Sequence, residues 1–456
     1  MEIIAIISSL VLLMVLAYRG YPVILIAPLL AILAVLLSGE QGALAFYSEV
    51  FMKGLGNFII KYFPIFLLGA IFGKLMDVSG AARSISHQII QSLGKNQAVI
   101  AVVTSCALLT YGGVSIFIVA FGIFPMAQAL FREANIPKRL IPGTIALGAF
   151  TFSMTALPGT VQIHNIIPIP YFQTDAFAAP IFGLTGSLII ASLGITWLQH
   201  RVKKASQAGQ GYGFEVDEMS TNIDSYPAFW KSIAPILLLI SLNFLFSQVI
   251  IPSWDDTFLE NPAFGNVSLE SVKGIWSIIL AMILAIASLI ALHFRRLTTL
   301  KETLQQGIQS SLMPIFNTAT EVGYGSTIAA LAGFAIIKDY VLNSFQEIPL
   351  LSAAVAINIL AGITGSASGG LAIALETLGS TYYDLMIREG ISLELMHRVA
   401  SMASSGLDSL PHNGAVITLL MICGMTHRQS YLDIAVTTLL IPVSTLFVML
   451  LAVSFI

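Results

Sequence analysis

A polar segment interrupts a long hydrophobic run between Ser404 and Gly414, with the order Ser-Ser-Gly-Leu-Asp-Ser-Leu-Pro-His-Asn-Gly. Pro411 and Gly414 break regular helix and leave backbone N–H and C=O groups without helical partners. Asp408 and His412 can each bind and release a proton, and burial makes a charged carboxylate costly. We therefore predict that Asp408 and His412 couple proton binding to function. The alternatives are a structural hydrogen-bonding role for the acid and a packing role for the histidine.

A second polar segment, Thr151 to Thr160, breaks another hydrophobic run at Leu157-Pro158. It carries hydroxyl groups but no charge, and hydroxyls together with freed backbone N–H groups are the donors that an anion needs. The alternative is that these hydroxyls bond only to their own helices. The side chains of the two segments that we predict to bind a substrate are Ser153, Thr155, Thr160, Ser409 and Asn413.

The elements that position these segments must lie in a membrane. Of the 456 residues, 56% are hydrophobic and only 10% are charged, whereas a soluble domain carries roughly 25% charged residues. Continuous apolar runs of about 20 residues indicate helices instead of a barrel. The net charge of −3 and the lack of a basic block argue against a nucleic-acid partner. The predicted spans lie near 3–18, 21–38, 58–79, 140–160, 178–199, 230–251, 274–293, 308–336, 395–421 and 431–455, with an interfacial helix at 40–57.

Two further runs, 97–131 and 350–384, are too long for one crossing and have glycine-rich centres. We interpret each as a re-entrant hairpin whose tip lies at mid-membrane. Glycines at a tip allow a tight turn and close approach of the backbone to a ligand, although they also suit simple helix packing. The tip residues that we predict to contact a substrate are Gly112, Gly113 and Ser115 in the first run, and Ser366, Ser368, Gly369 and Gly370 in the second.

The distribution of basic residues supports both hairpins. If the chain begins outside and both long runs return to the side from which they entered, the basic loops fall on the cytoplasmic side, as the positive-inside rule requires. Acidic loops then lie outside, and both termini lie on the outer face of the inner (cytoplasmic) membrane. The basic residues placed inside include Arg132, Lys138, Arg139, Arg201, Lys203, Lys204, Arg295 and Arg296.

Short motifs recur in the same order in both halves. Pro64-Ile65-Phe66 returns at Pro314-Ile315-Phe316, Gly112-Gly113 at Gly369-Gly370, and Leu157-Pro158 at Leu410-Pro411. With the assigned topology the halves have opposite orientation, the usual plan of secondary transporters. We predict an all-α polytopic membrane protein with two inverted-topology repeats, each with a re-entrant hairpin and a broken helix. The predicted units are 1–19 (an extra first span), 20–200 (first repeat, hairpin 97–131), 201–272 (cytoplasmic linker, connecting span and outer loop) and 273–456 (second repeat, hairpin 350–384).

Two more acids lie inside apolar runs. Glu321 follows Pro314 by about two helical turns, and Glu376 follows the second tip by about two turns. Since intramembrane acids are commonly functional, both are candidate proton carriers. Cys106 and Cys423 do not have metal-ligand spacing, and neither a phosphate loop nor a His-Glu-x-x-His motif is present. We therefore predict no metal, no cofactor and no enzymatic activity.

The glycine-rich hairpins, Leu-Pro breaks and inverted halves resemble the gluconate:proton symporter (GntP) family of the ion transporter superfamily over nearly the whole chain. The resemblance implies proton-coupled uptake of small hydroxy-carboxylates such as gluconate, related sugar acids, hydroxybutyrate or D-serine. It also implies a mobile transport domain, a scaffold that holds a homodimer, and elevator movement. The paired Ser-Asn-Thr tips of the sodium-dependent dicarboxylate branch are absent. The residues to which the resemblance points are Gly112, Gly113, Ser115, Thr155, Ser366, Ser368, Gly369, Asp408 and Asn413.

The sequence thus predicts a proton-coupled symporter that takes up a small hydroxy-monocarboxylate by elevator-type alternating access as a homodimer in the lipid bilayer. A sodium-coupled citrate or dicarboxylate carrier is the alternative within the same superfamily. A channel would differ by lacking saturable, gradient-driven accumulation. An intramembrane hydrolase using Ser405 or Ser409 with His412 is disfavoured, because Pro411 interrupts the helical spacing that such a pair needs.

Overall fold

The computed structural model describes residues 2–19, 21–213, 226–265, 267–336, 348–411 and 413–454. Every element assigned within these ranges is helical. The helices are α1 (Glu2–Tyr18), α2 (Val23–Leu37), α3 (Ala43–Val78), α4 (Ala81–Leu93), α5 (Ala98–Tyr111), α6 (Ile116–Glu133), α7 (Ile141–Ala149), α8 (Phe152–Thr155), α9 (Ile163–Ile166), α10 (Ile169–Phe172), α11 (Pro180–Gln207), α12 (Phe229–Leu245), α13 (Leu269–His293), α14 (Leu300–Ala329), α15 (Pro349–Thr364), α16 (Ala367–Glu389), α17 (Leu393–Ser404), α18 (Gly414–Cys423), α19 (His427–Ala435) and α20 (Ile441–Ser454).

Six of the described helices are long and apolar enough to cross a bilayer. A helix satisfies its own backbone hydrogen bonds, which lipid cannot do, so apolar sequence at this length folds as helix. Large apolar side chains such as Leu188 of α11 and Trp230 of α12 point outward and are exposed, as expected for surfaces that face lipid. Two of the six extend beyond one α-helix: α12 continues through a π-helical and a 3-10 turn to Ser253, and α19 continues through a π-helical turn into α20. The six are Ala43–Val78, Ile116–Glu133, Pro180–Gln207, Phe229–Ser253, Leu269–His293 and His427–Val453.

The two helices that carry the Pro-Ile-Phe motif, α3 and α14, form the most extensive helix pair in the described part of the chain. They run antiparallel: a Cβ on Gly54 would lie 2.9 Å from Ser326 Cβ, and a Cβ on Gly307 would lie 2.9 Å from Ile71 Cα. Small residues at both contacts bring the backbones together. Pro64 and Pro314 lie between these two contact points along their helices.

Each glycine-rich run forms two helices joined by a short turn. Helices α5 and α6 meet at Gly112 and Gly113, where Gly113 has a φ of +86° that favours glycine. Helices α15 and α16 meet at Gly365 and Ser366, and Gly365 has a φ of +62°. The matching of Gly112-Gly113 with Gly369-Gly370 was therefore misplaced, because the second glycine pair lies in the first turn of α16. Gly112 and Gly365 are 253 positions apart, as are Pro158 and Pro411.

Both Leu-Pro segments lack regular helix. Helix α7 ends at Ala149, the short α8 ends at Thr155, and the chain is irregular as far as Gln162. In the second half α17 ends at Ser404, and α18 begins at Gly414. We refer to residues 155–162, which begin with the last residue of α8, as break 1 and to residues 405–413 as break 2.

Two features differ from the predicted spans. The segment 40–57 is not a separate helix, because α3 continues from Ala43 to Val78 through a π-helical turn at Phe46–Phe51. Helix α4 was not predicted; it is amphipathic and meets the following helical segment Lys95–Tyr111 at 104°. Gly94, with a φ of +68°, forms the corner between them.

Candidate functional site

The second tip places a buried carboxylate against the start of a helix. Ser366 caps α16, its Oγ accepting a hydrogen bond from the Gly369 N–H at 3.0 Å. The same hydroxyl donates to Glu321 Oε2 of α14 at 3.4 Å, and Glu321 is only 3% exposed. A Cβ on Gly369 would collide with the Glu321 carboxylate, so only glycine permits this approach. Ser368 Oγ lies 3.4 Å from Thr318 Oγ1, one turn earlier on α14. The positive end of α16 therefore faces an acid that has one long hydrogen bond.

An asparagine ties this tip to break 2. Asn413 Oδ1 accepts hydrogen bonds from the Ala415 and Val416 N–H groups at 2.6 and 2.9 Å, which caps α18. Its Nδ2 donates to the Gly365 carbonyl in the turn between α15 and α16 at 2.9 Å. A single side chain thus fixes a helix start and a hairpin tip.

Asp408 lies within break 2 and is 8% exposed. Its Oδ1 accepts a hydrogen bond from Ser409 Oγ at 3.0 Å, and Tyr431 OH of α19 donates to the Ser409 carbonyl at 3.0 Å. Ser409 therefore supports the acid, and its own hydroxyl is already engaged. His412 lies outside the described residues. Its neighbour in the chain, Pro411, has its carbonyl 2.9 Å from His427 Nε2.

An amide also ties the first tip to break 1. Gln162 Nε2 donates to the Thr110 carbonyl at 2.7 Å and to the Val114 carbonyl at 3.3 Å, one on each side of the Gly112-Gly113 turn. Tyr111 OH donates to the Pro158 carbonyl at 2.8 Å. A Cβ on Gly113 would lie 2.7 Å from Val161 Cγ2, so the turn packs directly against the break. In each half, therefore, a side-chain amide that follows the Leu-Pro pair donates hydrogen bonds to backbone carbonyls of the hairpin tip.

The two breaks contact each other at the ends of α8 and α17. Thr155 Oγ1 lies 3.3 Å from Ser405 Oγ, and Ser401 Oγ donates to the Thr155 carbonyl at 2.8 Å. Other predicted donors bond locally: Ser153 Oγ donates to the Gly148 carbonyl at 2.6 Å, as the alternative interpretation of the hydroxyls stated. Thr160 is fully buried, and its Oγ1 accepts a long hydrogen bond, 3.5 Å, from the backbone of Gln162.

Two predicted site residues lie apart from these contacts. Glu376 of α16 accepts a hydrogen bond at 2.8 Å from Tyr171 OH of α10, and Lys61 lies over the same ring at 5.2 Å. Ser115 precedes α6 beside Gly73 of α3, and its side chain makes no helix-capping hydrogen bond. The tip glycines Gly112 and Gly370 are needed for packing, against Ile236 and the Ala361 backbone respectively.

Sequence reasoning missed a buried polar cluster around Arg398, in the middle of α17. Arg398 and His397 are both fully buried, as is Asn165 of α9. Asn165 Oδ1 accepts a hydrogen bond from Arg398 Nη1 at 2.7 Å and lies 3.3 Å from His397 Nε2. An arginine inside the predicted span 395–421 was the available signal, because charged residues in such spans are rare. The described residues contain no group of three or more His, Cys, Asp or Glu side chains placed to hold a metal ion.

Apolar helices of spanning length, together with buried polar breaks that contact two hairpin tips, define a multi-pass membrane transporter. The chain matches the GntP family of permeases over residues 1–456 and belongs to that family. It is therefore a permease and not an enzyme.

Three known proteins resemble the chain. A Bacillus subtilis (strain 168) transporter, YxjC, is 45% identical over 456 residues, which is 96% of each chain. The high-affinity gluconate transporter of Escherichia coli (strain K12) is 24% identical over 304 residues, 63% of this chain and 64% of that protein. The crystal structure of the YdaH transporter of Alcanivorax borkumensis, described as having an unusual topology, matches with a TM-score of 0.59 at 15% identity and covers 89% of this chain and 88% of that one. The last likeness concerns the fold alone.

Proposed function

We propose that this permease takes up a small hydroxy-monocarboxylate, gluconate-like or a hydroxybutyrate, together with protons across the cell inner membrane. The observation that carries the proposal is the buried Glu321 carboxylate at the N-terminal end of α16, with Ser366 as its hydrogen-bond donor. The similarity to a gluconate transporter supports an organic-anion substrate.

In this proposal, Glu321 and the substrate carboxylate compete for the N-terminal end of α16, and this competition couples proton binding to anion binding. A substrate carboxylate at the second tip would use the N–H groups and hydroxyls that now face Glu321. Two negative charges about 6 Å apart repel by about 3 kcal/mol at an effective dielectric constant of about 20. Protonation of Glu321 removes this repulsion, so the substrate and the proton favour each other's binding by roughly 100-fold. Asp408 and His412 in break 2 are the second candidate for the proton-binding site, and Glu376 is the third candidate, to be tested against Glu321.

The proposed substrate site lies where tips and breaks meet. Its donors are hydroxyl, amide and backbone N–H groups, which suit both a carboxylate and the hydroxyls of a sugar acid. The residues proposed to line it are Gly112, Gly113, Ser115, Ser153, Thr155, Thr160, Ser366, Ser368, Gly369, Gly370, Ser409 and Asn413. Among these, Thr155, Ser366 and Ser368 belong to side-chain contacts that join separate elements, which is where a ligand can bridge them.

Inverted repeats and elevator movement are part of the same proposal. The antiparallel packing of α3 on α14, with Pro64 and Pro314 between the contact points, supports two halves of opposite orientation. These helices are proposed to form the scaffold of a homodimer. The contacts of Glu321 with Ser366 and of Thr318 with Ser368 would then cross the boundary between scaffold and moving domain.

Uptake into proteoliposomes tests the proposal. With pH 5.5 outside and 7.5 inside, symport of one proton per monoanion accumulates substrate up to about 100-fold, because each pH unit supplies about 1.4 kcal/mol. Net charge transfer is then zero, so an imposed membrane potential changes nothing. Radiolabelled D-gluconate and 3-hydroxybutyrate are suitable first probes. If a sodium gradient alone drives uptake at equal pH, the sodium-coupled alternative replaces the proton proposal.

Matched acid-to-amide variants locate the coupling. Glu321→Gln is expected to lose gradient-driven accumulation but to retain exchange of labelled for unlabelled substrate, because exchange needs no net proton movement. Glu376→Gln is the control, since that acid is bonded to Tyr171 away from the tip. Asp408→Asn tests break 2 in the same assay. If only the Glu376 variant or only the Asp408 variant loses accumulation, the coupling site is at that residue and not at Glu321.

A further inference from the structure

Arg398 has its whole guanidinium group engaged inside the protein. The Nε–H donates to the Ala178 carbonyl at 3.1 Å, and Nη2 donates to the carbonyls of Ala178 at 2.8 Å and Ala176 at 3.1 Å. Nη1 donates to the Thr155 carbonyl at 3.2 Å and to Asn165 Oδ1 at 2.7 Å. These bonds use all five N–H donors of an arginine. The side chain is therefore fixed in place and has no donor left for a ligand.

Every acceptor of Arg398 lies in the first half of the chain, whereas Arg398 itself precedes break 2. The acceptors include the Thr155 carbonyl, at the point where the two breaks touch. Thr155 Oγ1 is the atom that lies 3.3 Å from Ser405 Oγ. A fixed positive charge thus lies beside the junction of the two breaks.

The charge of Arg398 has no ion-pair partner among the described residues. The acids close to its acceptor loop, Asp175 and Glu394, act on Arg398 only from beyond ion-pair distance: Asp175 accepts hydrogen bonds from the Phe177 N–H at 2.7 Å and from Gln248 at 2.6 Å, and Glu394 accepts from the Ala179 N–H at 3.3 Å. A buried cation without a carboxylate in ion-pair contact is costly, and a neutral amide could donate hydrogen bonds to two of these carbonyls without that cost. The positive charge therefore calls for an explanation beyond holding the loop.

We propose that Arg398 is the fixed charge that makes the substrate site selective for anions. It remains on its carbonyls and acts through its field on the anion bound in the proposed site where tips and breaks meet, of which the Thr155–Ser405 junction is the part next to Arg398. Arg398 is thus a specificity-determining residue that does not contact the substrate. The proposal rests on the proposed uptake of an organic anion. At about 8 Å and an effective dielectric constant of about 20, the attraction amounts to roughly a 30-fold gain in affinity.

The test compares an acid with its neutral amide in the purified full-length protein. Dissociation constants are measured for D-gluconate and D-gluconamide, and for 3-hydroxybutyrate and 3-hydroxybutyramide. Arg398→Gln is expected to lower the acid-to-amide affinity ratio by about 10- to 30-fold, whereas Arg398→Lys keeps most of the ratio because it keeps the charge. A uniform loss of affinity for acid and amide alike would indicate a structural role only and overturn the proposal.

A second pair of variants leaves Arg398 in place. Asn165→Asp puts a carboxylate where an amide oxygen now lies 2.7 Å from Nη1, so it neutralises the charge without removing the guanidinium. It should lower the acid-to-amide ratio as Arg398→Gln does. Asn165→Ala removes the same hydrogen bond but keeps the net positive charge, and should leave the ratio unchanged. An unchanged ratio in Asn165→Asp would refute the inference even if Arg398→Gln fails to fold.

The wild-type protein separates the two proposals. If it binds none of the acids, the proposed function fails, whatever the variants do. If it binds the acids, and both Arg398→Gln and Asn165→Asp retain its ratio, only the role of Arg398 is wrong.

Discussion

Asn413 both caps α18 and bonds to the second tip, and two substitutions can separate these roles. Asn413→Ser keeps a good helix cap, because a serine oxygen accepts from the first N–H groups of α18. The serine is too short to reach the Gly365 carbonyl, which Asn413 Nδ2 now reaches at 2.9 Å. Asn413→Ala removes both the cap and the tie. The two variants together therefore distinguish loosening of the tip from fraying of α18.

The expected magnitude follows from the bonds that are lost. One neutral hydrogen bond contributes about 1 kcal/mol, so the second tip in Asn413→Ser should open about five times more often than in the wild type. The further loss of the cap in Asn413→Ala costs about 1 kcal/mol more, and should also expose the amides of Ala415 and Val416. Both effects are changes in local opening equilibria and need not alter the global stability.

Hydrogen exchange read by mass spectrometry, with the protein in lipid nanodiscs, measures these equilibria. Peptides covering 360–370 should exchange about fivefold faster in Asn413→Ser, and peptides covering 413–420 should change only in Asn413→Ala. Peptides covering 108–116, at the first tip, are the internal control and should not change in either variant. If peptides covering 360–370 exchange at the wild-type rate in Asn413→Ser, Asn413 does not hold the tip.

Three further changes have definite expected outcomes. Gly369→Ala forces a methyl group against the Glu321 carboxylate and should lower stability by about 1–3 kcal/mol, measured as a fall in the melting temperature; an unchanged value would contradict the close contact. Arg201→Ala removes the cation that pairs at 2.8 Å with Asp433, 2% exposed, and leaves that carboxylate with the Trp197 Nε1–H as a donor; the change should cost about 3–5 kcal/mol. The added change Asp433→Asn should recover most of that loss, and an additive effect would refute the pairing. Gln162→Ala removes bonds of 2.7 and 3.3 Å to the first tip, so exchange at 108–116 should accelerate about 5- to 30-fold, with 360–370 as the control.

The fold class was predictable because the membrane limits the options. Apolar runs of spanning length fold as helices, and Gly, Pro and polar residues inside such runs mark where the helix stops. The exact positions of the turns were less predictable. Gly365 and Gly369 belong to the same glycine-rich stretch, and only the Ser366 cap decides that α16 begins before Gly369. Local composition indicates that a turn exists, whereas a specific side-chain contact decides which residue forms it.

The candidate site was predicted in part for the same reason. Glu321 and Asn413 stood out as polar residues in apolar surroundings, and both lie at the second tip. Glu376 stood out equally but is bonded to Tyr171, because the face that a helical residue presents depends on packing over a long sequence distance. Arg398 was not predicted, because its acceptors are backbone carbonyls that no sequence pattern identifies.

The two halves contribute different chemistry although they resemble each other in plan. In both, an amide holds the hairpin tip to the Leu-Pro break, Gln162 in the first and Asn413 in the second. The first half supplies neutral acceptors and hydroxyls at its break, whereas the second supplies Glu321, Asp408 and Arg398, all buried. A symmetric scaffold can expose a site to either side of the membrane. Coupling of proton and substrate binding also needs groups whose charge changes, together with a fixed charge that interacts with the substrate. These acids and the arginine all belong to the second half, so the proposed proton binding and the proposed anion selectivity can be tested separately by mutations within one half of the chain.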